Sequence, residues 1–472
     1  MSNATDFFTK VAKIRPALNI GCLFDIPTGA YHTGKHGESI LSGGLAHFTG
    51  VGGKGNTYKT TVMHFFNLSA MNRYGDPQDL MGNPSPYLIY DSENSMNPTR
   101  VEHLADQYDF LAGLGLDELN RVIITDTTMS GNSYFDMLKK YGKDKIGGKG
   151  VYITTPFLND KGENIKIITP TFVGIDSLSM MPIDSVDAIY DKHGIGESGL
   201  NVEAMKTAAA KSQMMMQMPK VTSANGLYVT ATAHLGNEIV MDQYAPSKKQ
   251  LTFLKQDTKF KRVPENYSFL TNILWCCLSA NVLQNKSDKT PLYPKDGGDR
   301  MIGDVDLQLI TIQALRSKGG ATGLPFELVA SQRDGLLVGL SEFHYIKTRK
   351  YGINGNDRSY ALDLYPDVAL SRTSVRGIID ADAKLRRALE ITSELCQIST
   401  LWKGYDDIMC TPETLYKDIK ALGGDWDMIL SETRGYWQPT EIEKKNPLKF
   451  LSTMDLLNWR AGKYTPYWLK KK

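Results

Sequence analysis

Apolar runs of strand length alternate with longer stretches of helical pattern along the first 285 residues of the chain. The runs occupy residues 45–51, 87–90, 121–125, 171–175, 227–233 and 274–283. Residues 60–74 and 201–220 lie between such runs and are long enough for helices that cross from one parallel strand to the next. Buried strands separated by helices predict an α/β fold with a mainly parallel sheet that is flanked by helices.

The pattern changes in the second half of the chain. Residues 343–351 and 359–370 predict two strands joined by a turn, and residues 305–316 predict a helix. Residues 381–401 carry apolar side chains at helical spacing, with lysine and arginine on the other side, which predicts a further helix. We therefore expect a boundary near residue 380 and a mainly helical C-terminal extension over 381–472.

Composition and charge exclude several classes of protein. Hydrophobic residues make up 41% and charged residues 22% of the chain, which is typical of globular proteins. The 54 lysines and arginines against 52 acids give a charge of +2, so any surface that binds nucleic acid must be local. Five cysteines without a CxxC pair argue against a disulfide scaffold or a zinc ribbon. Without a signal peptide pattern or a long apolar stretch, we expect a cytoplasmic protein with no membrane segment.

A glycine-rich segment follows the first apolar run and precedes the first predicted helix. It matches the phosphate-binding pattern GxxxxGK[ST] except that Tyr58 stands at the second glycine. Backbone N–H groups of such a loop converge on phosphate oxygens, Lys59 would neutralise the β and γ phosphates, and the Thr60 hydroxyl would ligate Mg²⁺. The predicted nucleotide-binding residues are Gly53, Lys54, Gly55, Asn56, Thr57, Tyr58, Lys59, Thr60 and Thr61. The alternative is a glycine-rich turn with a chance Lys-Thr pair.

Two further apolar runs end in acids. Asp176 ends the run at 171–175 and could hold the Mg²⁺ shell beside the phosphates. Glu93 follows the run at 87–90 and could orient or deprotonate the attacking water. Each acid alone could be a capping residue, but the combination with the glycine-rich loop predicts nucleotide hydrolysis.

With these motifs the sequence resembles the RecA-like recombinase superfamily, and most closely the phage UvsX recombinases. The resemblance covers residues 15–375 and includes the entry segment 15–30, the aromatic Tyr58, the motif Tyr-Asp-Ser-Glu at 90–93 and Ile-Asp-Ser at 175–177. His234 matches the amide or imidazole that ends the family's next strand. This similarity implies a RecA-like P-loop ATPase core over residues 36–380. It also implies a segment at 1–35 that docks protomers.

The resemblance assigns roles to individual residues. ATP and Mg²⁺ are the implied cofactors, Glu93 the catalytic base and His234 the sensor of the γ-phosphate. Lys347 and Arg349 match cations that reach the nucleotide of a neighbouring subunit, although they also suit an exposed edge strand.

Asn97 and Arg100 stand where the family clamps adenine. Arg100 departs from the aromatic residue that is usual there.

Two loops would face DNA in this architecture, near residues 187–201 and 236–264. The second is rich in cations with interleaved aromatic residues, a combination that serves single-strand binding because cations track phosphates and aromatic faces stack bases. The predicted DNA-binding residues are Lys248, Lys249, Lys255, Lys259, Phe260, Lys261 and Arg262. The alternative is a solvated basic loop whose aromatic side chains lie in the core.

The sequence is compatible with three functions. A recombinase would form filaments on single-stranded DNA, pair it with double-stranded DNA, and work with single-strand-binding and loader proteins. A hexameric helicase of the DnaB type shares the nucleotide motifs, but only about 45 residues precede the phosphate loop. A non-catalytic nucleotide-binding module is the third reading, against which the intact Lys59, Thr60, Glu93 and Asp176 argue.

Overall fold

A computed structural model describes most of the chain. The described residues are 15–76, 85–116, 118–147, 152–184, 186, 200–237, 251–296, 298–299 and 301–469. Within them, no helix combines the length and apolar character needed to cross a bilayer.

A ten-stranded sheet forms the centre of the fold. In chain order its strands are β1 (Phe48–Gly53), β2 (Tyr87–Asp91), β3 (Val122–Thr125), β4 (Thr171–Asp176), β5 (Leu227–Asn237), β6 (Thr258–Phe260), β7 (Ile273–Val282), β8 (Leu307–Ser317), β9 (Pro325–Ser331) and β10 (Gly335–Leu336). Their order in space is β10-β9-β8-β7-β1-β5-β4-β2-β3, and β6 pairs with β5. The run from β7 to β3 is parallel, while β6, β8, β9 and β10 are antiparallel to their partners.

Helices cover both faces of this sheet. They span Asp25–Thr28, Lys59–Tyr74, Pro98–Ala105, Gly131–Ile146, Leu200–Asn225, Asn266–Leu270, Val338–Arg349, Val375–Ala381, Ala383–Leu401, Pro412–Ala421, Trp426–Glu432, Thr440–Glu443 and Thr453–Arg460, with a 3₁₀ turn at Lys403–Tyr405. Successive residues of a strand point to opposite faces, so Ile89 joins one core cluster while Leu88 and Tyr90 join the other. The expected α/β fold, with a largely parallel central sheet flanked by helices, is confirmed.

Short strands outside the central sheet form four small sheets. They are Ala30–Thr33 with Ser39–Ser42, Tyr152–Leu158 with Asn164–Ile168, Ile353–Asn356 with Ser359–Leu362 and Tyr365–Leu370, and Thr433–Arg434 with Lys449–Phe450.

All six strands predicted within the first 285 residues, and both crossover helices, are confirmed with ends shifted by a few residues. Two predictions from the second half are wrong. The predicted helix at 305–316 is strand β8, whose alternate residues Ile310, Ile312 and Ala314 are buried against the sheet's first core cluster. The predicted strand at 343–351 belongs to the helix Val338–Arg349, which buries Leu340, Phe343 and Ile346 at helical spacing. The predicted strand at 359–370 is two strands of a three-stranded sheet.

Both ends of the described chain pack into the first core cluster. Phe24 lies among rings of the central sheet and the phosphate-loop helix, including Phe66 and Trp275. The helix Ala383–Leu401 supplies Leu385 and Ile391 to the same cluster, and the Gln397 side chain donates a hydrogen bond of 2.9 Å to the carbonyl of Leu23. The C-terminal segment and the residues after Arg15 are therefore joined through one apolar core.

Candidate functional site

Strand order brings the candidate acids to one edge of the sheet. The carboxyl ends of parallel strands meet at the same edge. The register pairs Gly53 of β1 with His234 of β5, and Asp91 of β2 with Asp176 of β4. The phosphate loop, the two acids and the imidazole are therefore neighbours, although they lie far apart in the sequence.

The phosphate loop turns between β1 and the helix that begins at Lys59. Gly53 has no room for a side chain, because a Cβ there would lie 2.4 Å from Thr57 Oγ1. Tyr58 has a left-handed backbone (φ +63°), the conformation that a glycine favours at this point of the motif. A non-glycine residue in this conformation costs about 1–2 kcal/mol. Packing of the Tyr58 ring against the first core cluster offsets part of that cost.

Lys59 is held inside the loop. Its side chain is buried, and Nζ donates a hydrogen bond of 2.7 Å to the backbone carbonyl of Lys54. Burial lowers the pKa of Lys59, while the nearby charges of Asp176 and Glu93 act in the opposite direction. A phosphate oxygen is a stronger acceptor for an ammonium group than a carbonyl is, so a nucleotide could replace the Lys54 carbonyl.

Asp176 lies between two hydroxyl groups. Its Oδ2 accepts a hydrogen bond of 2.5 Å from Thr60 Oγ1, and its Oδ1 accepts one of 2.5 Å from Thr232 Oγ1. Hydroxyl and carboxylate oxygens are hard donors of the kind that Mg²⁺ prefers, with the remaining positions left to phosphates and water. Thr60 and Asp176 therefore fit the expected Mg²⁺ site. Sequence reasoning missed Thr232, although strand alternation places it on the same face of β5 as His234.

Glu93 and His234 contact each other. The distance from His234 Nε2 to Glu93 Oε1 is 3.0 Å, and the two side chains are 29% and 42% exposed, respectively, so water can reach them. The turn that contains Glu93 is fixed by Asp91, whose carboxylate accepts hydrogen bonds from the backbone N–H groups of Glu93, Ser95 and Met96.

Serine side chains fasten the neighbouring strand ends together. Ser92 Oγ accepts from the N–H of Ser177 at 2.7 Å and donates to its carbonyl at 2.9 Å. Ser179 Oγ accepts from the N–H of His234 at 2.9 Å. These bonds hold the ends of β2, β4 and β5 in register, and the sequence analysis did not single them out.

Asn97 and Arg100 have local partners in the structure. Asn97 caps the helix Pro98–Ala105 by accepting a hydrogen bond of 2.9 Å from the N–H of Thr99. The Arg100 guanidinium donates to the carbonyls of Gln332 and Arg333, between β9 and β10. Their assignment to adenine stays a prediction.

A cavity of about 610 Å³ lies beside the phosphate-loop helix, a size typical of small-molecule sites. Thr61 and His64 line it from that helix, and Leu104 and Gly335 line it from other elements. Burial lowers the pKa of His64 to about 4, so the imidazole is neutral near pH 7. Of these four residues, only Thr61 belongs to the nucleotide-binding set predicted from the sequence.

Lys347 and Arg349 lie in the last turn of the helix Val338–Arg349, so the alternative of an exposed edge strand does not apply. Lys347 Nζ forms an ion pair of 2.7 Å with Asp357 and lies over the ring of Tyr360. The Arg349 guanidinium lies 4.4 Å from the centre of the Tyr345 ring. Their contact with the nucleotide of a neighbouring subunit stays a prediction.

The basic segment forms a ribbon with β5. Strand β6 pairs with the end of β5, and the N–H of Lys261 donates a hydrogen bond of 2.8 Å to the carbonyl of His234 itself. Lys255, Lys261 and Arg262 are exposed, and Lys259 is half-buried. Lys248, Lys249 and the loop at 187–199 lie outside the described residues.

The position of Phe260 favours the alternative in which the aromatic side chains of the basic segment lie in the core, and its stacking on a base stays a prediction. Phe260 is only 6% exposed, and its ring lies edge-on to that of Tyr267, 5.5 Å away. A Cβ on Gly52 would lie 2.4 Å from the same ring, so Phe260 covers β1 directly before the phosphate loop. Among the described residues of this segment, Phe253 is an exposed aromatic residue, with 41% of its surface accessible.

Comparison with known proteins gives similarities among solved structures. No protein family model and no curated protein matches the chain. Among solved structures, the crystal structure of the RadB recombinase is similar over 62% of this chain and 92% of that chain, with 14% identity and a TM-score of 0.32. A likeness of this size does not assign a family.

Proposed function

We propose that this chain is an ATP-dependent DNA recombinase of the RecA type, most similar to the phage UvsX recombinases. It would form filaments on single-stranded DNA in the cytoplasm, of the host if phage-encoded, and promote pairing and strand exchange with double-stranded DNA. One observation carries the proposal. His234 contacts the candidate base Glu93 through its side chain and the basic ribbon through its backbone.

Hydrolysis would use the residues at the sheet edge. Lys59 would leave the Lys54 carbonyl and bind the phosphates, which the N-terminus of its helix would also attract. Thr60 and Asp176 would hold Mg²⁺, which supplies positive charge against the phosphate oxygens. Glu93, opened to water on one side, would accept the proton of the attacking water.

The ribbon would report DNA binding to this site. Lys255, Lys259, Lys261 and Arg262 would contact phosphates, with Phe253 in the base-stacking role first expected of Phe260. Since Lys261 is bonded to the backbone of His234, ordering of the ribbon on DNA would shift the imidazole and free Glu93 for catalysis. Lys347 and Arg349 would complete the site of a neighbouring protomer, and loader or single-strand-binding proteins would assist assembly.

Replacement of Glu93 by glutamine tests the hydrolytic part of the proposal. Glu93→Gln keeps the size and a hydrogen-bonding oxygen but cannot take a proton, so ATP should still bind while hydrolysis falls by about 10²-fold or more. The matched control is Glu118→Gln, which changes an exposed glutamate outside the site and should hydrolyse ATP normally. Normal turnover of Glu93→Gln would overturn the assignment of the base.

Electron microscopy of the Glu93→Gln protein with ATP and single-stranded DNA tests the recombinase part. Because ATP would stay bound, we expect continuous helical filaments whose length follows that of the DNA. Closed rings of six protomers would instead indicate the hexameric helicase.

A further inference from the structure

We propose that Thr232 is a positioning residue that fixes the Asp176 carboxylate for the Mg²⁺–nucleotide complex. The inference rests on the proposed nucleotide function. It adds to the candidate site a residue that would contact neither the nucleotide nor the metal. Thr232 is fully buried on β5, and its Oγ1 lies 2.5 Å from Asp176 Oδ1. The other carboxylate oxygen, Oδ2, accepts from Thr60 Oγ1 at the same distance.

A carboxylate with a single hydrogen-bond donor can still rotate about its Cβ–Cγ bond. A second donor on the opposite oxygen removes that freedom, provided that the donor itself is rigid. Thr232 meets this condition because β5 is paired with β1 at this residue, and because its own carbonyl accepts a hydrogen bond of 3.0 Å from Leu178. The orientation of Asp176 is thus set by the centre of the sheet.

The orientation of Asp176 in turn sets that of Thr60. A hydroxyl group that donates its hydrogen to Asp176 directs its oxygen lone pairs elsewhere, and these are the electrons that would bind Mg²⁺. Thr232 would therefore act on Mg²⁺ through Asp176 and Thr60.

The same strand provides a matched comparison. Thr230 lies two residues before Thr232, is also fully buried, and its Oγ1 has no hydrogen-bond partner among the described residues. Valine has the same shape as threonine without the hydroxyl group. Thr230→Val and Thr232→Val are therefore separate variants that each remove one buried hydroxyl group from the same face of β5. Only Thr232→Val removes a hydrogen bond to Asp176.

Equilibrium binding of a fluorescent ATP analogue, titrated with Mg²⁺, tests the proposal without relying on turnover. Loss of a hydrogen bond to a charged group should raise the half-saturating Mg²⁺ concentration of Thr232→Val by about tenfold or more. Binding of the analogue in EDTA should be unchanged. Thr230→Val should match the unsubstituted protein, and Thr232→Ser, which keeps the hydroxyl group, should restore most of the Mg²⁺ response.

The outcomes separate the proposal from its premise. Mg²⁺-dependent binding in the unsubstituted protein with an unchanged midpoint in Thr232→Val would overturn the role of Thr232 alone. An equal rise of the half-saturating Mg²⁺ concentration in Thr230→Val would also overturn the role of Thr232, because a change in packing would then explain both results. Absence of Mg²⁺-dependent nucleotide binding in the unsubstituted protein would overturn both. Melting temperatures establish folding, and Thr232→Ala is a second hydroxyl-free variant with the same expected shift.

Discussion

Replacing Phe260 by alanine should destabilise the protein and disturb the phosphate loop, with little direct effect on base stacking. The ring is buried between Tyr267 and Gly52, and nothing in the described structure offers its face to a base. Truncation of a buried phenylalanine to alanine costs about 3–5 kcal/mol. Because β6 has only three residues and lies at the end of β5, the site can partly collapse, and we expect a value near the lower limit.

Denaturant unfolding and single-strand binding, measured on the same preparations, check this prediction. Phe260→Ala should lower the unfolding midpoint and weaken binding of ATP, because its ring covers Gly52 next to the loop. The matched variant Phe253→Ala changes an exposed ring of the same segment. It should leave the midpoint near that of the unsubstituted protein and weaken DNA binding by about 1–3 kcal/mol if the ring stacks on a base.

The reverse result would refute this reasoning. A Phe260→Ala protein of full stability that loses DNA affinity without a change in its salt dependence would mean that the ring stacks on bases. The ribbon would then have to adopt another conformation on DNA. Equal stability losses in both variants would instead make the whole segment part of the core.

Three further predictions concern charge. Replacing Lys255, Lys261 and Arg262 by glutamine should reduce the slope of log affinity for single-stranded DNA against log salt by about 0.7 for each lost phosphate contact, as measured by fluorescence anisotropy. Mixing Arg349→Ala with Glu93→Gln protomers should restore part of the ATPase activity if Arg349 acts on a neighbouring site, and purely additive loss would contradict this. Burial raises the pKa of Asp25 to about 6 and that of Glu394 to about 8, so the folded protein binds more protons than the unfolded chain between about pH 4 and 8. Their contribution to the free energy of unfolding should therefore be largest at low pH and decline as pH rises through 8, and Glu394→Gln should make urea midpoints less dependent on pH.

The edge of the sheet that carries the candidate site could be predicted from the sequence because strand ends follow a simple rule. Apolar runs that end in Asp176, Glu93 and His234 predict side chains at the same edge of a parallel sheet, and the structure brings them together. Thr232 was missed because a threonine within a strand is common for its β-branched shape, and only the geometry shows which hydroxyl group has a partner.

Other features depend on tertiary context. Residues 343–351 contain enough β-branched and aromatic side chains to suggest a strand, yet packing of Phe343 and Ile346 against the C-terminal helices favours a helix. Strand β8 has partners on both sides, so its apolar pattern was mistaken for that of a helix. An aromatic residue among lysines, such as Phe260, can face DNA or the core, and composition alone does not distinguish the two.

The end of β5 extends beyond the part of the strand that is fixed in the central sheet. The strand is paired with β1 up to His234, whereas among the described residues its last three, Leu235–Asn237, pair with β6 alone. A strand that is hydrogen-bonded to its neighbours cannot shift by one residue without turning every side chain to the opposite face of the sheet. A displacement of the ribbon would therefore bend β5 where its pairing with β1 ends, at His234, whose imidazole contacts Glu93. If DNA binds the ribbon as proposed and bends it toward one nucleotide state, thermodynamic linkage requires that this nucleotide state strengthen DNA binding by the same free energy.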